Sequence, residues 1–255
     1  RGLDVVVKRN GSRGALYLEP LVEVETVQGR VAYGPVEASD VESLFDAGFL
    51  TGGAHRLALG LTDEIPYLKN QERLTFARAG LADPLDLAAY EKNGGLEGLK
   101  KALATAQPVI VQEVLDSGLR GRGGAGFPAG IKWKTVLEAQ ADQKYVACNA
   151  DEGDSGTFAD RMVMEGDPYL LIEGMIIAGI ATGATEGYVY IRSEYPDAIA
   201  VMKSACDIML NAGWLGASVG GSGKAFNLHI RRGAGAYICG EESSMLESLE
   251  GKRGL

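Results

Sequence analysis

Apolar and polar positions divide the chain into two stretches with different rhythms. In the first, residues 3–8 are β-branched and alternate weakly, which predicts a strand, and Asn10-Gly11-Ser12 follows as a turn. Residues 21–27 and 30–33 flank Gln28-Gly29, the pattern of a hairpin. Ser39 or Asp40 caps a short helix running through Phe45 and stopped by Gly48. Residues 51–93 are irregular apart from a helical pattern over 71–79. In the second stretch helices and strands alternate. Helices are predicted over 96–104 and 109–115, the latter opened by Pro108 and ended by Ser117-Gly118, and again over 132–139. A short buried strand at 145–149, an apolar helix at 168–181 and a strand at 187–192 follow. Pro196 opens a helix at its favoured first position, with Ile199, Met202, Cys206 and Met209 on one face and Gly213 at its end. A strand over 226–231 and a helix over 241–250 complete the pattern. Strands alternating with helices predict an α/β fold with a largely parallel sheet.

Composition adds one outlier. Glycine occupies 36 of 255 positions, about twice the usual ~7%. It follows no collagen period and sits among well-formed apolar segments, so it serves turns or close approach of backbone to a partner. A net charge of −9 with no basic run argues against nucleic acid. The longest apolar stretch, 169–184, contains Glu173 and several glycines and is shorter than the ~20 residues that cross a bilayer, so no membrane insertion is expected. Cys148, Cys206 and Cys239 are far apart and form neither a disulfide framework nor a metal motif. A cytoplasmic protein is expected. The chain begins at Arg1 and stops just after a predicted helix, which reads as part of a longer protein.

Three glycine-bearing loops could carry chemistry. In the first, 118–128, Gly121, Gly123 and Gly126 satisfy G-x-G-x-x-G, which turns backbone N–H groups toward a phosphate, and Lys132 follows in the next helix. A helix precedes this loop where the dinucleotide pattern wants a strand, so a tight interhelix connection is the alternative. The second, 148–156, leaves a strand where open α/β sheets place ligands and offers Asn149, Asp151, Glu152 and Asp154. Acids at that density repel phosphate and suit ribose hydroxyls or ring N–H groups; a solvated turn or helix cap is the alternative. The third, 233–244, joins a strand to a helix and carries Tyr237, Gly240, Glu241 and Glu242. Carboxylates in a first helical turn are favoured by the dipole alone, by ~0.3–1 kcal/mol each. The two histidines, His55 and His229, lie outside these motifs, which disfavours Cys–His or Ser–His catalysis and leaves the chemistry to a cofactor.

Together GLRGRGGAGFP, CNADEGDSGTF and GAGAYICGEESSMLES resemble a family of flavin- and NADH-binding subunits. It includes the peripheral flavoprotein of respiratory complex I and the diaphorase subunits of NAD-reducing hydrogenases and NAD-dependent formate dehydrogenases. The resemblance covers roughly 95–255, and the variants GFPAGIKWKT, DEGDSGTFADR and YVYIRSEYP look most like the formate dehydrogenase branch. It implies a Rossmann-like domain in which FMN and NAD exchange a hydride and single electrons pass to iron–sulfur clusters. Gly121, Gly123, Gly124 and Lys132 would hold one side of FMN. Asn149, Asp151 and Glu152 would meet its ribityl and ring portion, and Tyr237, Gly240, Glu241 and Glu242 would close the pocket. NAD(H) would meet Phe127, Asp154 and Glu242. At position 154 the family more often has glutamate. Residues 1–50 resemble part of a thioredoxin-like 2Fe–2S domain, but Ser12 and Leu16 stand at its cysteine positions, so no cluster is expected there. Residues 51–94 are expected to be a linker. The resemblance also implies a 4Fe–4S cluster beyond Leu255, with no metal site in this segment. Implied partners are a 2Fe–2S thioredoxin-like subunit and iron–sulfur and formate-oxidising subunits. A hydrogenase or complex I subunit is the alternative, and a non-catalytic docking fragment is a further one.

Overall fold

A computed structural model describes residues 2–254 of the chain. The chain forms two compact units, Ser12–Ala77 and the remainder on either side of it.

The smaller unit is built on an antiparallel meander, β1 (Val22–Thr26), β2 (Gly29–Tyr33) and β3 (Ala58–Leu61). The hairpin forms where the sequence places it, with Thr26 opposite Gly29. β3 lies inside the stretch that the pattern leaves irregular, and its pairing with β2 carries a register shift at Ala32/Tyr33. Alternation over four residues containing Gly60 is too short to be read beforehand. Helix α1 (Val41–Asp46) follows Asp40 and ends before Gly48, which takes the left-handed conformation that glycine alone adopts without strain. A second short helix, α2 (Pro66–Lys69), starts on its proline. The helix predicted over 71–79 does not form; the chain there is turns and bends. Arg13 is buried and pairs with the part-buried Glu23, Nε to Oε1 at 2.5 Å, which meets the rule that an interior charge needs a partner.

The larger unit begins differently from the prediction. Residues 3–8 form no strand, and Val6 and Val7 are exposed without a ladder partner. β-branched residues favour an extended backbone, but only a neighbouring strand makes that a sheet. From here the pattern holds. Helices α3 (Leu87–Lys92), α4 (Glu97–Leu103), α5 (Gln107–Asp116) and α6 (Ala129–Glu138) precede the first parallel strand. α3 lies outside the predicted helices, and α6 begins three residues before the predicted start. The sheet is β4 (Tyr145–Ala150), β5 (Glu186–Ile191) and β6 (Asn227–Arg232), in that order and parallel, with Tyr145 opposite Glu186 and Glu186 opposite Asn227. The crossovers are α7 (Ala159–Gly166) with α8 (Pro168–Thr182), and α9 (Pro196–Asn211); α10 (Glu242–Leu249) follows β6. The chain is therefore mixed α/β, with a parallel sheet and a small N-terminal antiparallel sheet.

Helix α8 is buried nearly all round, which is why it carries no apolar stripe. Its one charge, Glu173, is held by the Tyr90 hydroxyl at 2.5 Å and by the backbone N–H groups of Leu96 and Leu99 at 2.8 and 2.9 Å. A carboxylate from α8 thus satisfies the open N-terminus of α4. The four apolar residues predicted on α9 are all buried. Gly179 and Gly187 face the Phe226 ring: a Cβ at either would come within 2.4 or 2.7 Å of it. No helix among the described residues is long and apolar enough to cross a membrane.

Candidate functional site

The three glycine-bearing loops meet beyond the carboxyl ends of β4 and β6. The first leaves α5 and folds back on itself before α6. Gly121 N donates to Phe127 O at 2.9 Å, Arg120 Nη1 to Gly126 O at 2.8 Å, and Ala129 N to Leu119 O at 2.8 Å. Its glycines have different reasons. Gly124 and Gly126 have positive φ, of 90° and 60°. A Cβ on Gly123 or Gly124 would meet nothing within 4 Å, whereas one on Gly130 would fall 2.7 Å from the Leu115 backbone. Gly130 therefore sets how closely α5 and α6 approach, and the glycines of the loop leave its backbone bare. A helix does precede the loop, as the sequence predicts and unlike the dinucleotide pattern, and the loop is not buried.

Lys132 lies in the first turn of α6. Its Nζ is 5.7 Å from the centre of the Phe127 ring and 3.4 Å from Glu242 Oε2. This links the first loop to the third.

The second loop is tied to the third by side chains. Asn149 Nδ2 donates to Gly240 O at 2.9 Å, and Tyr237 Oη donates to Asp154 Oδ1 at 2.7 Å. The Tyr237 ring covers Gly153, where a Cβ would come within 2.9 Å of it. Asp151 is buried beneath the backbone of Gly240; burial raises its pKa above the ordinary range, against the nearby Arg192 cation, which lowers it. Glu152 points the other way. Its carboxylate accepts from Asp160 N at 3.0 Å, Arg161 N at 3.3 Å and Tyr195 Oη at 3.1 Å, so it caps α7. Asp160, desolvated and beside Glu152, has its pKa pushed up to about 6.

In the third loop Glu241 is the N-cap of α10, accepting from Ser243 N at 2.9 Å and Ser244 N at 3.4 Å. Those bonds, led by the Ser243 hydroxyl, lower its pKa. Glu242 is exposed, Cys239 is buried against Tyr190 and Met245, and Phe127 and Tyr237 present exposed rings. Among the described residues no group of three or more His, Cys, Asp or Glu side chains is placed to hold a metal ion.

A family model described as the Nuo51 FMN-binding domain matches residues 114–255, the segment that holds all three loops. The chain belongs to that family. It is 50% identical over 186 residues to the NADP-reducing hydrogenase subunit HndC of Solidesulfovibrio fructosivorans, which covers 73% of this chain and 38% of that protein. It is 55% identical over 168 residues to an NADH-quinone oxidoreductase subunit of Rhizobium meliloti, covering 66% and 40%. Among solved structures, an NAD+-reducing NiFe hydrogenase in the air-oxidized state is similar at a TM-score of 0.55 and 30% identity, over 88% of this chain and 35% of that one. The chain thus spans under half the length of these relatives.

The donor set suits the family's cofactor. The bare backbone of Gly123 and Gly124 and Lys132 offer N–H groups and a cation to a phosphate, and Asp151 offers a carboxylate to hydroxyl groups, whereas Asn149 is engaged at both amide atoms, Nδ2 donating to Gly240 O and Oδ1 accepting from Asp151 N at 3.1 Å. Two residues beside the loops escape the sequence reading. Arg192 and Tyr195 stand at and just beyond the carboxyl end of β5, the middle strand, and both reach Glu152. Their position after a parallel strand was the available signal.

Proposed function

We propose that this chain is the nucleotide-binding part of a flavoprotein subunit that passes electrons between NAD(H) and an iron–sulfur chain. The parent complex is of the NADH–quinone oxidoreductase or NAD(P)-reducing hydrogenase kind. The observation that carries this is the meeting of the three loops, through Lys132–Glu242, Asn149–Gly240 and Asp154–Tyr237, at the carboxyl end of a parallel sheet. The relatives above are hydrogenase and quinone-oxidoreductase subunits, which favours this reading over the formate dehydrogenase expected from local sequence variants.

Bound FMN supplies the exchange of an electron pair with NAD(H) and of single electrons with metal centres. The protein's part is binding and orientation. The backbone of Gly121, Gly123 and Gly124, with Lys132, takes the flavin phosphate side. Asn149, Asp151 and the Glu152 segment take the ribityl and ring side, and Tyr237, Gly240, Glu241 and Glu242 close over it. Phe127, with its exposed ring, Asp154 and Glu242 receive NAD(H). No side chain here needs to act as a general acid or base. Partners are iron–sulfur subunits and a second catalytic subunit in the cytoplasm, with Ser12–Ala77 serving docking.

The test is isolation of the full-length subunit with its co-purifying chains. Bound flavin absorbance and NADH-dependent reduction of an artificial dye are expected, with hydrogenase or quinone-reductase subunits alongside. Flavin-free, dye-inactive protein overturns the reading; a formate-oxidising partner restores the formate assignment.

A further inference from the structure

Glu152 is gripped from both ends by residues that none of the three loops contains. Arg192 Nη1 donates to its backbone oxygen, and Tyr195 Oη donates to its carboxylate at 3.1 Å. The two gripping residues are also locked to each other. The Arg192 guanidinium lies 5.1 Å from the centre of the Tyr195 ring, and Tyr195 N donates to Arg192 O at 3.3 Å. Arg192 Nη2 is further fixed by Glu194 at 3.2 Å, and Arg192 N donates to Ala150 O at 3.4 Å. Tyr195 is 6% exposed, and its hydroxyl is pushed up to about 12, first by burial and then by Glu152.

Glu152 stands between Asp151, which faces Gly240, and Gly153 and Asp154, which face Tyr237. Fixing one residue at both its carbonyl and its carboxylate fixes the direction in which each neighbour points. We infer that Arg192 and Tyr195 are positioning residues for the flavin and dinucleotide loops, acting through Glu152. This rests on the flavoprotein reading above. A lysine at 192 supplies the charge but one point donor, and cannot serve Glu152 O and Glu194 while stacking on Tyr195.

The experiment is FMN titration of the full-length protein stripped of flavin, read by flavin fluorescence, with the midpoint potential of the bound flavin as a second readout. Tyr195→Phe and Arg192→Lys are each expected to weaken FMN about tenfold, the scale of one charged hydrogen bond, and to shift the potential. Lys144→Ala is the control. It removes bonds to two carbonyls, Leu137 O at 3.0 Å and Thr182 O at 3.2 Å, at the opposite end of β4, and should leave both readouts unchanged. Tyr195→Phe carries the test alone if Arg192→Lys does not fold. Wild-type FMN binding with no change in the variants overturns the inference, as does equal weakening by Lys144→Ala. Wild-type protein that takes up no FMN overturns the flavoprotein reading, and this inference with it.

Discussion

Lys132 and Glu242 are 110 positions apart in sequence, yet their charged groups approach to 3.4 Å. Both side chains are more than half exposed, so the pair itself contributes within roughly 1 kcal/mol. Lys132→Gln should therefore leave the unfolding temperature of the flavin-free chain almost unchanged while, on the proposed role for Lys132 at the flavin phosphate, weakening FMN roughly tenfold. Thermal unfolding and flavin titration of the same preparation separate the two effects.

Glycines of one motif should respond oppositely to the same substitution. Gly130→Ala drives a methyl group into the Leu115 backbone and should cost about 1–3 kcal/mol. Gly123→Ala meets only open space and should stay within about 0.5 kcal/mol in the flavin-free chain, yet lower FMN affinity severalfold. Urea unfolding beside flavin titration checks both.

Glu173→Ala leaves the buried Tyr90 hydroxyl and two buried backbone N–H groups without their acceptor. A loss of about 3 kcal/mol or more is expected, since each such group costs ~1–3 kcal/mol. Glu173→Gln keeps an acceptor oxygen and should lose less. Chemical denaturation of the three proteins gives the order.

Asp160 predicts a pH dependence. Although Asp160 is exposed as a residue, partial desolvation of its carboxyl and the neighbouring Glu152 raise its folded pKa to about 6, above its unfolded value, so between roughly pH 4 and 6 the folded chain holds a proton that the unfolded chain has released. Its contribution to stability is greatest at the acid end of that window, falls as pH rises through it, and is constant above. Asp160→Asn should flatten this slope and raise the unfolding temperature at pH 7 relative to wild type. Melting curves from pH 4 to 8 test it; parallel curves would show that Asp160 titrates elsewhere.

Tyr237→Phe removes the hydroxyl that joins Asp154 across the loops. Faster hydrogen exchange over 153–156 and 235–240 is expected, with exchange in β4 and β5 unaltered.

The parallel sheet and its crossover helices were legible because each element carries its own signal. β5 is a β-branched and aromatic run, α9 opens on Pro196, and the buried face of α9 is spaced at the helical period. The same local signal misled at residues 3–8, where the β-branched run exists but no strand lies beside it. β3 escaped notice because a four-residue strand becomes one only by pairing with β2. α3 follows an Asp86 cap on the Ala89 N–H, a signal too short to stand out from its surroundings.

The sequence by itself determined where the glycine-rich and acidic loops lie, since glycine spacing and clustered acids are local properties that survive without a fold. Only the tertiary structure decided which way those groups face. Neighbouring acids look alike in sequence, yet Glu152 and Glu241 cap helices while Asp151 and Glu242 turn toward the other loops. A carboxylate goes where donors are unsatisfied, and those donors, the first N–H groups of α7 and α10, come into place only when the helices pack. Arg192 and Tyr195 reach Glu152 for the same reason: neighbouring parallel strands end together, and their carboxyl ends bring residues some 40 positions apart into contact.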